Sequence, residues 1–465
     1  MSKPVQLAVG ASSRRAIYKP DHQACEPVDA RPRYWYLNPL QPPVGVWAGS
    51  QQYVDFELDQ QIGVCKSLNL RVDLGAFTDN THLPNLPPTP YWLSRVEVYL
   101  GADLVETVYA DSVWHETVAF LKEQQAHDIA NVYNINPSDL SPIRRYTQDS
   151  YAAAVAGTGP TVADPVSGSA GANGPGYTAS GFYYISLDAT CIKACKPYVR
   201  GFESKWKIRI YFPTTLSSQF LQNTAYVPAN PSATPPTAAV PATFYPSQPT
   251  VAALQLIAEE EQTDPATLAK LEQAHKAGVV DYTALVRERL QDNPTNYVAG
   301  TNTTTFLRAF RNKSAGILVY LTRPSASNDA LTQRLAFTSL QLLDSRGNKI
   351  TEILDVDLLT SRIFPAQIDT SFPNVSNPDM RTLTLVPFAS QFQPVIERGC
   401  DYGKLQLTSL EQLVIVPVGT PGSRLPNGEM SSAQNASFLT MLTVVSYSYA
   451  HITCVGGKHS VRFEV

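Results

Sequence analysis

The residues with the types and spacing for chemistry are few. Glu259-Glu260-Glu261, and Asp355 with Asp357, are the places where carboxylates stand close enough in sequence for paired acid and base work. Acids at the start of a strand or helix account for both patterns more simply, because charge there is solvated or meets the helix dipole. Cys191 and Cys195 form a Cys-x3-Cys pair. With no second pair and no nearby histidine this is a poor zinc site, so reduced, partly buried thiols are the expectation. Cys25, Cys65, Cys400 and Cys454 are scattered.

The histidines (His22, His82, His115, His127, His275, His451, His459) never fall three or four apart. His115 and His127 share a predicted helix but stand too far along it to bind one metal. Gly171-Ala172-Asn173-Gly174-Pro175-Gly176 follows no predicted strand and opens no helix, so it is a loop and not a phosphate cradle. No Gly-x-Ser-x-Gly elbow supports a serine nucleophile. The chain is therefore expected to have no catalytic residue, metal, cofactor or small-molecule substrate.

Charge narrows the classes further. A net charge of −4 over 465 residues offers no general basic field for nucleic acid. Lys3, Arg14, Arg15 and Lys19 precede any acid and form a local basic arm, which either faces something anionic or is a solvated terminus. Scattered cysteines suggest assembly in a reducing compartment. The absence of a long apolar run and of an apolar signal core predicts a soluble protein not secreted by the standard route.

The elements that would position such residues are mostly strands. Proline, 36 of 465 residues, breaks helix interiors and central strands, so short strands and long loops are expected. Tyr53 to Asp59 and Leu68 to Leu74 alternate apolar and polar residues; in the first, Val54, Phe56 and Leu58 should be buried and the acids exposed. Lys205 to Phe212 shows the clearest alternation, with Trp206, Ile208, Ile210 and Phe212 on one face. Further strands are predicted at Phe182–Leu187, Leu254–Ile257, Ala315–Leu321, Leu383–Phe388, Leu413–Pro417, Phe438–Ile452 and Val461–Val465. A helix should start at Asp111 or Ser112 and run to about Tyr133. Another, capped by Asp264 with Pro265 in its first turn, should end near Gly278 and lie on the surface.

One unit occurs twice. Val96 to Val108 and Leu340 to Leu354 are each a strand, a Gly-containing turn and a second strand, the pattern of a β-hairpin. Their separation, about 240 residues, is that of tandem domains and not of a short-period solenoid. The predicted fold is all-β, two tandem eight-stranded antiparallel jelly rolls with a few inserted helices and long loops. Its expected division is an N-terminal arm over 1–33, a first jelly roll over 34–225, a Pro-rich connector over 226–250 and a second jelly roll over 251–465.

The order of these blocks resembles the double jelly-roll major capsid proteins of nucleocytoplasmic large DNA viruses, virophages and polinton-like viruses. The hairpin Val96–Val108, followed by Tyr109-Ala110-Asp111-Ser112-Val113-Trp114, is similar to that family's strand, Gly turn, strand and helix start. Leu385-Val386-Pro387-Phe388-Ala389-Ser390-Gln391-Phe392-Gln393-Pro394, with Gly399, Asp401 and Tyr402, looks like its second-domain block. Ser446-Tyr447-Ser448-Tyr449-Ala450-His451-Ile452 and Gly456-Gly457 resemble its closing strand and glycine pair. The family's Pro-Phe-Trp-Phe strand appears here as Phe182-Tyr183-Tyr184-Ile185, and its Asn-Tyr-Asn element as Ser446-Tyr447-Ser448.

The resemblance implies a non-enzymatic major capsid protein, located in the virion capsid and assembled in the cytoplasm or nucleus of a host cell. It implies a homotrimer forming a pseudo-hexagonal capsomer that tiles an icosahedral shell. Neighbouring capsomers, penton and minor capsid proteins are its expected partners, with genome or an internal membrane facing the basic arm. The alternative is a tandem jelly-roll carbohydrate-binding protein using its abundant tyrosines.

Overall fold

In the computed structural model the two hairpins occupy equivalent places in two like sandwiches. The structure describes most of residues 33–113, 181–213, 251–322, 334–355 and 437–463, with short stretches at 170–175, 221–222, 383–388, 405–406 and 411–417. The basic arm, most of the helix predicted from Asp111 and the stretch 226–250 lie outside the described residues.

The first sandwich uses eight strands: β1 (Arg33–Leu37), β2 (Tyr53–Glu57), β3 (Val64–Leu74), β4 (Arg95–Leu100), β5 (Asp103–Tyr109), β6 (Gly181–Ser186), β7 (Trp206–Tyr211) and β8 (Val251–Glu261). One sheet runs β1-β8-β3-β6 and the other β2-β7-β4-β5. Two short helices matter to it, α1 (Thr190–Lys193) after β6 and α2 (Pro265–Ala277) after β8.

The second sandwich repeats the plan with β9 (Val279–Gln291), β10 (Thr303–Phe306), β11 (Lys313–Thr322), β12 (Phe337–Leu343), β13 (Leu354–Asp355), β14 (Leu383–Pro387), β15 (Gln412–Pro417) and β16 (Ser437–Val455). β17 (Lys458–Phe463) adds to the end of β16. Its sheets contain the orders β9-β16-β11-β14 and β10-β15-β12-β13. Adding eight to each label of the first sandwich gives the second, and all these pairings are antiparallel. That order, in which the first strand pairs the last and the second pairs the seventh, is a jelly roll. The all-β expectation of two tandem jelly rolls therefore stands.

The pairing corrects one boundary. β8, which follows the Pro-rich stretch, hydrogen-bonds to β1 and β3 across ten register pairs with β3, so it closes the first jelly roll and does not open the second. The Pro-rich stretch thus lies between two strands of the first jelly roll, and the passage to the second is made at α2.

Local sequence explains the elements. Both hairpin turns carry a glycine in the left-handed region, Gly101 at φ 61 and Gly347 at φ 81, where a Cβ would crowd the backbone. The side chain of Asp264 accepts from the backbone N–H of Ala266 and Thr267, both at 3.0 Å, and starts α2 with Pro265 in its first turn. Trp206, Ile208 and Ile210 are sealed in the core, as the alternation of β7 requires. Val54, Phe56 and Leu58 are sealed likewise.

Asp55 departs from expectation. Only 3% of it is exposed, although it points away from the core. Arg209 Nε and Nη2 reach its two oxygens at 2.7 and 3.0 Å, and Lys207 Nζ lies at 2.9 Å, so side chains of the adjacent β7 cover it. α2 lies at the surface beside the sheets, as expected: Lys270, Gln273 and Lys276 are exposed on its outer face, while Thr267, Leu271 and His275 are buried on the face that packs inward.

Candidate functional site

Nothing in the described residues gathers three metal-ligating side chains. What the fold does build, from residues far apart in sequence, is a buried seam between the two jelly rolls. It begins with strand length. β9 and β16 are 13 and 19 residues long, longer than one sandwich needs, and they pair with each other along all of β9. Their far halves leave the second core and enter the first: Val280, Tyr282, Ala284, Val286, Ala450, Ile452 and Cys454 belong to the same cluster as Val54, Phe56 and Trp206. Leu442 and Val444, earlier on the same face of β16, belong to the second core. One strand therefore supplies both cores.

Where β9 passes between the sandwiches, Ala284, Leu285, Val286 and Arg287 are all buried, so both faces of the strand are covered. Arg287 Nη1 lies 2.9 Å from Glu106 Oε1 on β5, with neither side chain exposed. The same guanidinium donates to the carbonyl of Asp188 at 3.1 Å and to its Oδ2 at 3.3 Å. Glu106 is also met by Thr190 Oγ1 at 2.7 Å and by the backbone N–H of Cys191 at 2.8 Å, both from α1. Lys193 closes the set on Asp188 Oδ1 at 2.6 Å. Two cations and two carboxylates balance, and each of the four carboxylate oxygens has at least one donor, which is the condition for burying charge at tolerable cost. Burial pushes the Asp188 carboxyl up, but Lys193 and Arg287 outweigh it and hold the group below its usual range. Asp188 also sits at φ 45, a left-handed conformation that short polar side chains tolerate better than most.

A second node lies at α2. His275 is 1% exposed, and its Nδ1 is 2.8 Å from the carbonyl of Leu271. A carbonyl only accepts, so Nδ1 carries the proton and Nε2 accepts from the hydroxyl of Tyr282 at 3.0 Å. Tyr282 accepts in turn from the backbone N–H of Tyr198 at 3.2 Å. Phe202 stands edge-on to both His275 and Trp206, at ring separations of 5.6 Å. Burial holds the His275 ring below the ordinary histidine value of 6.5. At the rim, His459 of β17 meets Asp103 of the first hairpin at 3.3 Å.

The residues singled out by sequence fall elsewhere. Glu259 binds Lys66 and Ser67, Glu260 accepts from Trp35 Nε1 and the N–H of Gly63, and Glu261 pairs with Lys196. The acidic triplet is thus consumed in holding β8 to its neighbours. Cys65, Cys191, Cys195 and Cys454 are free and buried. Lys3, Arg14, Arg15 and Lys19 lie outside the described residues, as does Asp357. Glu106, Asp188 and Arg287 escaped sequence reasoning. The one local signal was a cation directly after the apolar run Ala284-Leu285-Val286.

No family model and no curated protein matches the sequence. Solved structures do match. The PBCV-1 capsid protein VP54, as fitted into a reconstruction of the virophage Sputnik, is similar over 96% of this chain and 100% of its own, with TM-score 0.58 and 12% identity. A quasi-atomic model of the PBCV-1 capsid gives 96%, 100%, 0.57 and 11% in the same order. The Faustovirus major capsid protein gives 92%, 92%, 0.53 and 8%. The chain has their double jelly-roll fold. The agreement runs through both jelly rolls, since nearly the whole of each chain is covered, so the seam lies within the matched region.

Proposed function

We propose that this double jelly-roll chain is a major capsid subunit, a structural protein and not an enzyme. The observation that carries the reading is the repeated strand order in one polypeptide with a seam that fixes the two copies to each other. A chain that presents the same shape twice at a set angle lets three copies approximate a hexagon, and hexagons tile a facet. Side chains of the sheet β2-β7-β4-β5 add a rigid lateral face: Arg209 lies 4.3 Å from the Tyr53 ring and Arg95 lies 3.8 Å from the Tyr211 ring. On this reading the partners are two further copies, neighbouring capsomers, penton and minor capsid proteins. The arm carrying Lys3, Arg14, Arg15 and Lys19 would face genome or an internal membrane, and the protein would reside in the virion after assembly in the host cytoplasm or nucleus.

The test is assembly of the purified full chain. Light scattering should give a tight species at three times 50.9 kDa, and negative-stain images should show pseudo-hexagonal particles that pack in hexagonal arrays. A strict monomer that forms no such particle at high concentration overturns the reading.

A second reading, a carbohydrate-binding tandem jelly roll, is favoured by one observation. Tyr34, Tyr36 and Tyr184 are each at least half exposed on one sheet, with aromatic faces available for sugar stacking. Retention of a monomer on a glycan array, lost in Tyr36→Ala, would support it.

A further inference from the structure

We propose that His275 makes the seam an acid-sensitive joint, in which a second proton on the imidazole loosens α2 from β9 and frees the two jelly rolls from their fixed setting. Both ring nitrogens are committed: Nδ1–H to the Leu271 carbonyl, and Nε2 as acceptor of the Tyr282 hydroxyl. A proton added at Nε2 would point at that hydroxyl, whose oxygen already receives the N–H of Tyr198. The imidazolium would be left buried without a counter-charge, an arrangement that costs several kcal/mol and is relieved by exposing the ring.

Among the described residues, no acid contacts the ring to take up the charge. From the turn after α1, Tyr198 and Phe202 pack their rings against His275, and Gly201 is so close that a Cβ there would come within 2.4 Å of the imidazole. From β9 comes Tyr282, and from β16 comes Cys454, whose Sγ is 3.7 Å from the Gly201 carbonyl. Of the charged residues on these elements, Glu272 pairs with Lys276 on the outer side of α2, where Lys270 is exposed; Arg200 donates to the Gln61 carbonyl, the backbone N–H of Glu203 donates to the Gly457 carbonyl, and Asp281, next to Tyr282, alternates to the opposite face of β9. The other described histidines have partners of their own. His459 Nε2 lies 3.3 Å from Asp103 Oδ2 at the rim. His451 Nδ1 is 3.1 Å from Thr283 Oγ1 and stands opposite Arg462 in the ladder.

The sign follows from linkage. A ring held below 6.5 in the fold binds fewer protons than it does when released. Stability of the joint is therefore complete above 6.5, declines as the pH falls past that value, and is lost once the pH passes the folded value.

Amide hydrogen exchange on the full-length protein tests this, following peptides that cover α2 and the start of β9 and correcting for intrinsic rates. One pH unit below 6.5, opening of these peptides should rise by up to roughly tenfold. His275→Gln, which keeps a hydrogen-bonding side chain that does not titrate, should abolish the rise, while His459→Gln should retain it. Unchanged exchange in the wild type, or an equal rise in His275→Gln, overturns the proposal. If His275→Gln does not fold, exchange of the histidine C2 protons in the wild type reads the ring directly. A titration midpoint for His275 at or above 6.5 overturns the proposal, and one below it supports it.

Discussion

Arg287 of the second jelly roll and Glu106 of the first meet at 2.9 Å with both side chains fully sealed from water. A charge pair so placed contributes little net energy, yet it is costly to break from one side, because the remaining partner keeps its burial and loses its compensation. Its value is directional: the pair is satisfied at one setting of the two sandwiches only.

Arg287→Ala is therefore expected to cost about 3–5 kcal/mol in chemical denaturation of the purified chain. Replacing both partners, Arg287→Met with Glu106→Gln, should recover a large part of that loss, since no unpaired ion remains. A double variant no more stable than the single one would show that the pair acts through shape and not through charge.

Asp55 should report on acid sensitivity at the outer sheet. Burial works to raise its carboxyl, but Arg209 and Lys207 outweigh that and hold it below the usual 3.8. Its contribution is present above 3.8 and disappears as the pH falls through the lower, folded value. Asp55→Asn should cost about 2 kcal/mol near neutrality and flatten the stability profile in the acid range. A profile as steep as that of the wild type would contradict this.

The paired turns give an internal comparison. Gly101 and Gly347 are both left-handed, so alanine at either should cost about 1 kcal/mol or more. Nothing lies near a Cβ at Gly347, whereas one at Gly101 would come within 3.0 Å of His459 Cε1 and 3.3 Å of Ser204. Thermal unfolding should rank Gly101→Ala below Gly347→Ala, and the opposite order would refute the crowding argument.

Thiol chemistry offers a check on the cores. Burial, with Glu259 and Glu260 nearby, pushes the Cys65 thiol up to about 12, and burial pushes Cys191 and Cys454 upward as well. With thiolate scarce and access closed, these sites should resist alkylation in the native protein and react on unfolding. Prompt labelling of Cys65 in the folded chain, mapped by mass spectrometry, would count against the packing described.

What the sequence disclosed was local. Alternation in β7, the Asp264 cap with Pro265, and the two Gly turns depend on neighbours a few residues apart, and all appear where expected. Long-range pairing was hidden. β8 belongs with β3, some 190 residues earlier, in register pairs such as Glu259 with Ser67, and no local pattern states that partnership. The same limit hid the seam, whose members Glu106, Asp188, His275 and Arg287 come from β5, the loop before α1, α2 and β9. Asp55 was misplaced for a related reason: alternation gives the face on which a side chain lies, but not what a neighbouring strand lays over it.

The length of β16 has a mechanical meaning. Nineteen residues of extended chain run about 60 Å without interruption and supply both cores, so the passage at α2 is braced and does not bend like an elbow. Each molecule should act as a stiff plank under load. If planks of this kind floor a closed container, its curvature must arise at the joins between them and not by flexing of the boards.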